Sequence, residues 1–297
     1  MTQSATARPR RSVLYMPGSK PRALDKARGL PADSLILDLE DAVPPAEKIT
    51  ARTTVAEALA AGGYGKREIV IRVNGLDTEW GADDLIAAAA CHPDAVLMPK
   101  VDGAAMIRDV DARLTAAGAP DTTRIWAMME TPLGMLNAGE IAASSPRLTC
   151  FVMGTNDLVK ELGAAHTETR LPVITALGLC MLAARAHGLA ILDGVYNAFR
   201  DEDGLRASCE QGLEFGFDGK TLIHPAQLEV TNHVFAPSDD QIALAEKYVT
   251  AFAEVEAAGQ AVAVVDGKIV ENLHVETARA LLAKAEAIKE LEAGIPV

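Results

Sequence analysis

The sequence predicts a (β/α)8 TIM barrel with a small C-terminal helical extension, and three observations carry that prediction. Eight short apolar runs alternate with Ala-rich helical stretches over about 250 residues, the strand count and length of this fold. Residues able to do chemistry fall at or just past the C-terminal ends of those runs, the rim where barrel enzymes carry their sites. No Gly-x-Gly-x-x-Gly turn follows the first run, which argues against an open dinucleotide-binding sheet.

In chain order the runs are SVLYMP (12–17), SLILDLE (34–40), EIVIRVN (68–74), AVLMPK (95–100), IWAMME (125–130), LTCFVMG (148–154), LAILDGV (189–195) and FDGKTLIHP (217–225). Most are continuously apolar, as parallel strands covered on both faces are. Helical candidates between them are 46–61, 83–91, 104–117, 171–188 and 201–216. After Pro225 the pattern changes to a helical stretch over 238–258, the segment AVAVVDGKIV, and a last helix through Glu292. The Asp266-Gly267 pair in that segment is a two-residue hairpin signal. The reading is a catalytic barrel over 11–230 and an extension over 231–297, too small to fold alone, that must pack on the barrel or on a neighbouring subunit.

With 297 residues, 49% hydrophobic and 23% charged, the chain can bury one large core without staples. No apolar run approaches the roughly 18 residues of a membrane span, and MTQSATARPRR lacks a signal-peptide core, so a soluble cytoplasmic protein is expected. The net charge of −13 excludes a general nucleic-acid or anionic-membrane surface. Cys91, Cys150, Cys180 and Cys209 lie far apart, which points to reduced thiols rather than a disulfide framework or a zinc site. There is no Gly-x-Ser-x-Gly elbow, so a serine-hydrolase mechanism is not indicated.

Glu130 and Asp157 end the fifth and follow the sixth run, where two carboxylates suit one Mg2+ with positions left for water and substrate. The alternatives are a core salt bridge for Glu130 and a helix N-cap for Asp157. In SLILDLEDAV, alternation points Asp38 and Glu40 to one side and Asp41 beyond the strand end. So much negative charge calls for a cation unless the acids are solvated. Arg72 is the one charge after Glu68 in EIVIRVN; it is either a fork for a developing oxyanion or a structural ion pair. Ser19 could cap a helix with Lys20, Arg22 and Lys26 around it, a phosphate patch or a solvated basic face. His224, at the end of the eighth run, reads more readily as a hydrogen-bonded structural histidine than as a catalyst.

These segments together resemble the CitE-like branch of the HpcH/HpaI aldolase superfamily, which contains citrate lyase β-subunits, malyl-CoA lyases and citramalyl-CoA lyases. The motifs are RSVLYMPGSKPRALDKA, LDLEDAVPPAEK, IRVNGLDT, MPKV, ETPLG, GTNDL, KTLIHPAQ and GKIVE, and they cover almost the whole chain. The resemblance implies a (β/α)8 barrel, trimeric or hexameric, in which a C-terminal segment covers the neighbour's site. It implies Glu130 and Asp157 as ligands of Mg2+, Arg72 as a substrate-binding residue, and Glu40 and Asp41 as acids holding metal waters; Mn2+ is the alternative ion, since both prefer oxygen ligands. Tyr15, Lys20 and Lys26 match positions that contact coenzyme A, and Ile223 and His224 line its path. Lyases of the branch carry Asp in the tail motif that here reads Gly267-Lys268-Ile269-Val270-Glu271, and Thr155-Asn156 before Asp157 also departs from them. The chain is most similar to the thioesterase members, which implies Mg2+-dependent hydrolysis of (3S)-malyl-CoA with Glu271 catalytic; C–C cleavage of malyl-, methylmalyl- or citramalyl-CoA is the alternative.

Overall fold

Eight parallel strands close on themselves in sequence order: β1 (Ser12–Pro17), β2 (Ser34–Asp38), β3 (Glu68–Arg72), β4 (Ala95–Met98), β5 (Arg124–Met129), β6 (Leu148–Met153), β7 (Ala190–Asp193) and β8 (Gly219–Leu222). β1 pairs with both β2 and β8, which completes the barrel. The computed structural model describes residues 8–257 and 259–294. The first seven residues of the leader, Ala258 at the end of a predicted helix, and residues 295–297 of the extension lie outside them.

All eight expected runs are strands. From the second onward they stop short of the predicted C-terminal ends, because the last residues turn out of the ladder to form the rim. The five expected helices are α2 (Lys48–Ala61), α3 (Gly81–Ala90), α4 (Ala104–Ala116), α8 (Ile174–Ala186) and α9 (Glu202–Phe215). Between and beside them lie α1 (Pro21–Ala27), α5 (Pro132–Leu136), α6 (Ala138–Ala142), α7 (Thr155–Glu161) and α10 (Leu228–Phe235). Ser19 does not cap α1: the N-cap is Lys20, without a side-chain cap bond, because Pro21 occupies the first helical position and sets the boundary.

Strand alternation sorts the core into two layers. Val13, Ile36, Val70, Leu97, Trp126, Val152 and Leu192 point inward and fill the barrel. Leu14, Leu35, Leu37, Ile71 and Phe151 point outward beneath the helices. At the N-terminal end of the barrel two buried forks tie the segment before β1 to the starts of β3 and β2. Arg10 donates from Nε and Nη2 to Glu68 at 2.6 and 2.8 Å, and Arg11 donates from Nη2 to Asp33 at 2.8 Å.

The chain divides into two compact units, Arg10–Phe235 and a C-terminal one over Ala236–Gly294. The latter consists of α11 (Asp239–Ala257), the antiparallel hairpin β9 (Ala263–Val265) and β10 (Lys268–Val270), and α12 (Asn272–Ala293). Asp266 and Gly267 both have positive φ (49° and 75°), the backbone a tight two-residue hairpin demands. Ala263, Val265 and Val270 pack with Phe252 and Val275 as the core of this unit, while Val264 and Ile269, paired across the strands, are exposed. The four cysteines are free, and Cys91 is only half-buried. Among the described residues no helix is long and apolar enough to cross a membrane.

Candidate active site

Asp38 and Arg72 close β2 and β3 at the same register level, both on the inward-facing alternation of their strands. Arg72 donates from Nε to Asp38 Oδ1 at 2.7 Å and from Nη2 to Oδ2 at 2.6 Å, the paired geometry a planar guanidinium favours. Asp38 also accepts from the backbone N–H groups of Glu40 and Ala42, both at 2.9 Å, so one carboxylate fixes the arginine and the loop after β2. That loop is held from behind by buried Lys48, whose Nζ donates to the carbonyls of Leu39 and Glu40 and to Asn74 Oδ1. Arg72 Nη1 stands 2.8 Å from Glu40 Oε2 and 3.5 Å from Asp41 Oδ2, and its guanidinium lies over the Tyr15 ring, 4.8 Å from its centroid. The ion-pair and the substrate-fork readings of Arg72 are therefore compatible: one edge is used structurally while the group faces the cavity.

On the opposite wall, Glu130 follows β5 and is 2% exposed. Among the described residues it forms no core salt bridge. Its Oε1 accepts the backbone N–H of Lys100 at 2.8 Å, a direction set by Lys100's left-handed backbone at φ 51°. Gly154, the N-cap of α7, is a cradle for the same carboxylate. A Cβ built there would meet Glu130 Oε2 at 2.5 Å and lie still closer to Glu130 Cβ. Asp157 is half-buried in the first turn of α7 and is not its N-cap. Tyr15, Asp41, Arg72, Glu130, Asp157 and Ile223 all line one cavity of about 310 Å3.

The electrostatics of this cavity are acidic and unbalanced. Burial, with the charges of Glu40 and Asp157 added, pushes the Glu130 carboxyl up to about 8 despite the Lys100 N–H and Arg72. Burial likewise raises Glu40 to about 7, opposed by Arg72 and reinforced by Asp41 and Asp38. Burial works against the charge of Lys100 Nζ, 3.7 Å from Glu40 Oε1, but its acidic neighbours outweigh it and raise the group. Among the described residues there is no cluster of three or more His, Cys, Asp or Glu in a metal-holding arrangement, so an all-protein cage is absent. Two acids against a small cavity, with Glu130 held by a backbone donor and cradled by Gly154, fit a hard cation that keeps water or substrate in its remaining positions.

Of the other expected site residues, Lys20, Lys26 and His224 of the barrel unit do not line this cavity. Lys20 pairs with Glu47 at 3.0 Å, and Lys26 is exposed on α1. His224 is exposed, caps the turn Pro225–Gln227 by accepting from Ala226 N at 3.1 Å, and stacks on Phe199 at 4.5 Å. Glu271 belongs to the C-terminal unit, where it is the N-cap of α12 and donates its backbone N–H to His274 Nδ1 at 3.1 Å. Sequence reasoning missed the part played by Asp38 and by the backbones of Lys100 and Gly154. For Asp38 a signal existed: it alternates with Ile36 exactly as Arg72 alternates with Val70.

A closed parallel barrel with an arginine and buried acids converging on its C-terminal rim defines a (β/α)8-barrel enzyme. The chain belongs to the HpcH/HpaI aldolase/citrate lyase family, whose model matches residues 11–225. It is 62% identical over 287 residues to a (3S)-malyl-CoA thioesterase of Cereibacter sphaeroides, covering 97% of this chain and 98% of that one. It is 35% identical over 283 residues to the citrate lyase subunit beta of Leuconostoc mesenteroides subsp. cremoris, covering 94% of each. Among solved structures it is similar to CitE from Mycobacterium tuberculosis in complex with magnesium, acetoacetate and coenzyme A. That likeness has a TM-score of 0.74 and 26% identity, and covers 95% of this chain and 99% of that one.

Proposed function

We propose that the protein is a cytoplasmic, Mg2+-dependent thioesterase that hydrolyses (3S)-malyl-CoA to malate and free CoA. The observation that carries this reading is the identity of 62%, over nearly the full length of both chains, to a (3S)-malyl-CoA thioesterase. The acidic cavity supports it, because a hydroxy acid and a hard cation share oxygen chemistry.

Glu130 and Asp157 would hold Mg2+, or Mn2+ in its place, with Glu40 and Asp41 on its waters, and the ion when bound supplies Lewis-acid charge to the hydroxy-acid oxygens. Arg72, braced by Asp38 and packed on Tyr15, presents a preorganised donor to a substrate oxygen at no reorganisation cost. Tyr15, Lys20, Lys26, Ile223 and His224 form the path for coenzyme A. Glu271 takes a proton from water as the water oxygen attacks the thioester carbonyl; the C–S bond breaks and CoA leaves as the thiol after receiving that proton. Attack by the Glu271 carboxylate itself, followed by hydrolysis of the anhydride, is the other route to the same products.

Glu271 comes from a neighbouring copy in this reading, with the extension over 231–297 packed on that neighbour in a homotrimer or homohexamer. The exposed apolar pair Val264 and Ile269, 69% and 65% exposed, together with Leu273 beside Glu271, supports a partner for that hairpin face. C–C cleavage remains the second reading because the citrate lyase β-subunit is also a close relative. Incubation with malyl-CoA and Mg2+ tests the choice: free thiol without glyoxylate is expected, and Glu271→Ala should lose most of the rate. Stoichiometric glyoxylate and acetyl-CoA would establish the lyase instead.

A further inference from the structure

Beside the acidic cavity the barrel unit holds a larger chamber of about 780 Å3. Thr155 and Val195 line both, so the two spaces adjoin. Arg170 lines the chamber and belongs to a buried trio. Its Nη1 donates to both oxygens of Asp193, at 2.6 and 2.7 Å, and Lys220 Nζ donates to Asp193 Oδ2 at 2.8 Å. Among the described residues neither cation has a second carboxylate partner, so two formal positive charges share one negative. A surplus charge in a buried setting is costly until an opposite charge completes it.

The surplus has a direction. With Nη1 committed to Asp193, the remaining edge of the guanidinium is Nε and Nη2, the pair that grips a carboxylate with two parallel bonds. Nε donates to Gln211 Oε1 at 2.6 Å, and Nη2 is enclosed with no acceptor. The Gln211 amide oxygen thus fills one of the two places a carboxylate would take, while its Nε2 rests on the Thr169 carbonyl at 3.0 Å. Arg170 is also held at φ 55°, a left-handed conformation unfavourable for a residue with a Cβ and kept where surrounding contacts over-determine it.

We propose that this chamber is a second ligand site, taking a small carboxylic acid whose carboxylate seats on the Nε and Nη2 edge of Arg170 with Gln211 turned aside. Ser208 and Thr167, which also line the chamber, offer hydroxyls to a further polar group on the ligand. The anion site rests on this geometry alone; the choice of malate as its ligand rests on the proposed activity, which would release that acid in the adjoining cavity.

The test is calorimetric titration of malate into the full-length protein in excess chelator, which strips divalent cations from the acidic cavity. Binding is expected in the wild type and in Glu130→Gln. It should weaken roughly tenfold or more in Arg170→Gln, as loss of a charged hydrogen-bonding pair implies. Ala207→Trp, at an exposed α9 position lining the chamber, should block it and serves as the deciding variant if Arg170→Gln fails to fold. Absence of binding in the wild type would overturn the proposal. So would loss in Glu130→Gln with retention in Ala207→Trp, or displacement of malate by equimolar inorganic phosphate. Failure of the proposed activity reads out separately, as no thiol release from malyl-CoA, and leaves the malate titration intact.

Discussion

Replacing Gly154 by Ala should damage metal binding more than any other single-methyl change near the cavity. The added Cβ would stand 2.5 Å from Glu130 Oε2, against an ordinary contact of about 3.5 Å, so the carboxylate must retreat by about 1 Å. Glu130 has little room to do so, since its Oε1 is tied to Lys100 N at 2.8 Å and its side chain is almost fully enclosed. A displacement of about 1 Å at a catalytic group costs on the order of 100-fold in rate. Forced overpacking costs about 1–3 kcal/mol, or roughly 2–12 °C in melting temperature for a unit of this size. Steady-state thiol release across a Mg2+ titration, with thermal unfolding in parallel, measures both effects. Gly139→Ala is the control, because nothing lies within 4 Å of its Cβ position. If Gly154→Ala kept both its Mg2+ dependence and its rate within a factor of about two, Glu130 could not be the cation's anchor.

Arg72→Lys should lower kcat/KM about 100-fold, because an ammonium cannot keep both bonds to Asp38 and still present a donor to the substrate; steady-state kinetics of the folded variant would show it. Lys100→Gly should match or exceed wild-type stability by up to about 1 kcal/mol, since glycine adopts the left-handed backbone freely and keeps the N–H that Glu130 accepts; calorimetry checks this. Burial opposes ionisation of Asp193, but Lys220 and Arg170 overcome it and hold its carboxyl below the ordinary value. Its folded pKa is therefore the lower one. The stabilisation is complete above the unfolded value near 4 and disappears as the pH falls through the folded value. Asp193→Asn should cost about 3–5 kcal/mol at neutral pH, and its urea midpoint should vary less than the wild type's below about pH 4.

The rim was readable because parallel strands announce themselves as apolar runs, and Glu130 and Asp157 stood out where those runs ended. What lay beyond reach was direction. Asp38, Glu40 and Asp41 are three acids within four residues, and only the register of β2 against β3 assigns Asp38 to Arg72 and leaves Asp41 exposed. The boundary of α1 turned on the backbone angles of Lys20 rather than on Ser19's capping chemistry. α5, α6 and α7 span five, five and seven residues, too few turns for a helical period to emerge from the composition. Lys100 and Gly154 act through backbone geometry, and a side-chain alphabet does not encode a hydrogen bond from a main-chain amide.

The two ends of the barrel treat charge in opposite ways. At the N-terminal end each arginine meets its own acid, Arg10 with Glu68 and Arg11 with Asp33, and the field cancels within a few ångströms. At the rim, among the described residues, Asp38, Glu40, Asp41, Glu130 and Asp157 face Arg72 and Lys100, and the excess is partly enclosed. In the proposed reading, a cation there would be held by a potential that extends past Glu130 and Asp157, through a medium that screens poorly. Retention of the proposed ion would then be a property of the whole rim: removing the exposed charge of Asp41 should loosen it from a distance, and added salt should blunt that loss while leaving the N-terminal pairs indifferent.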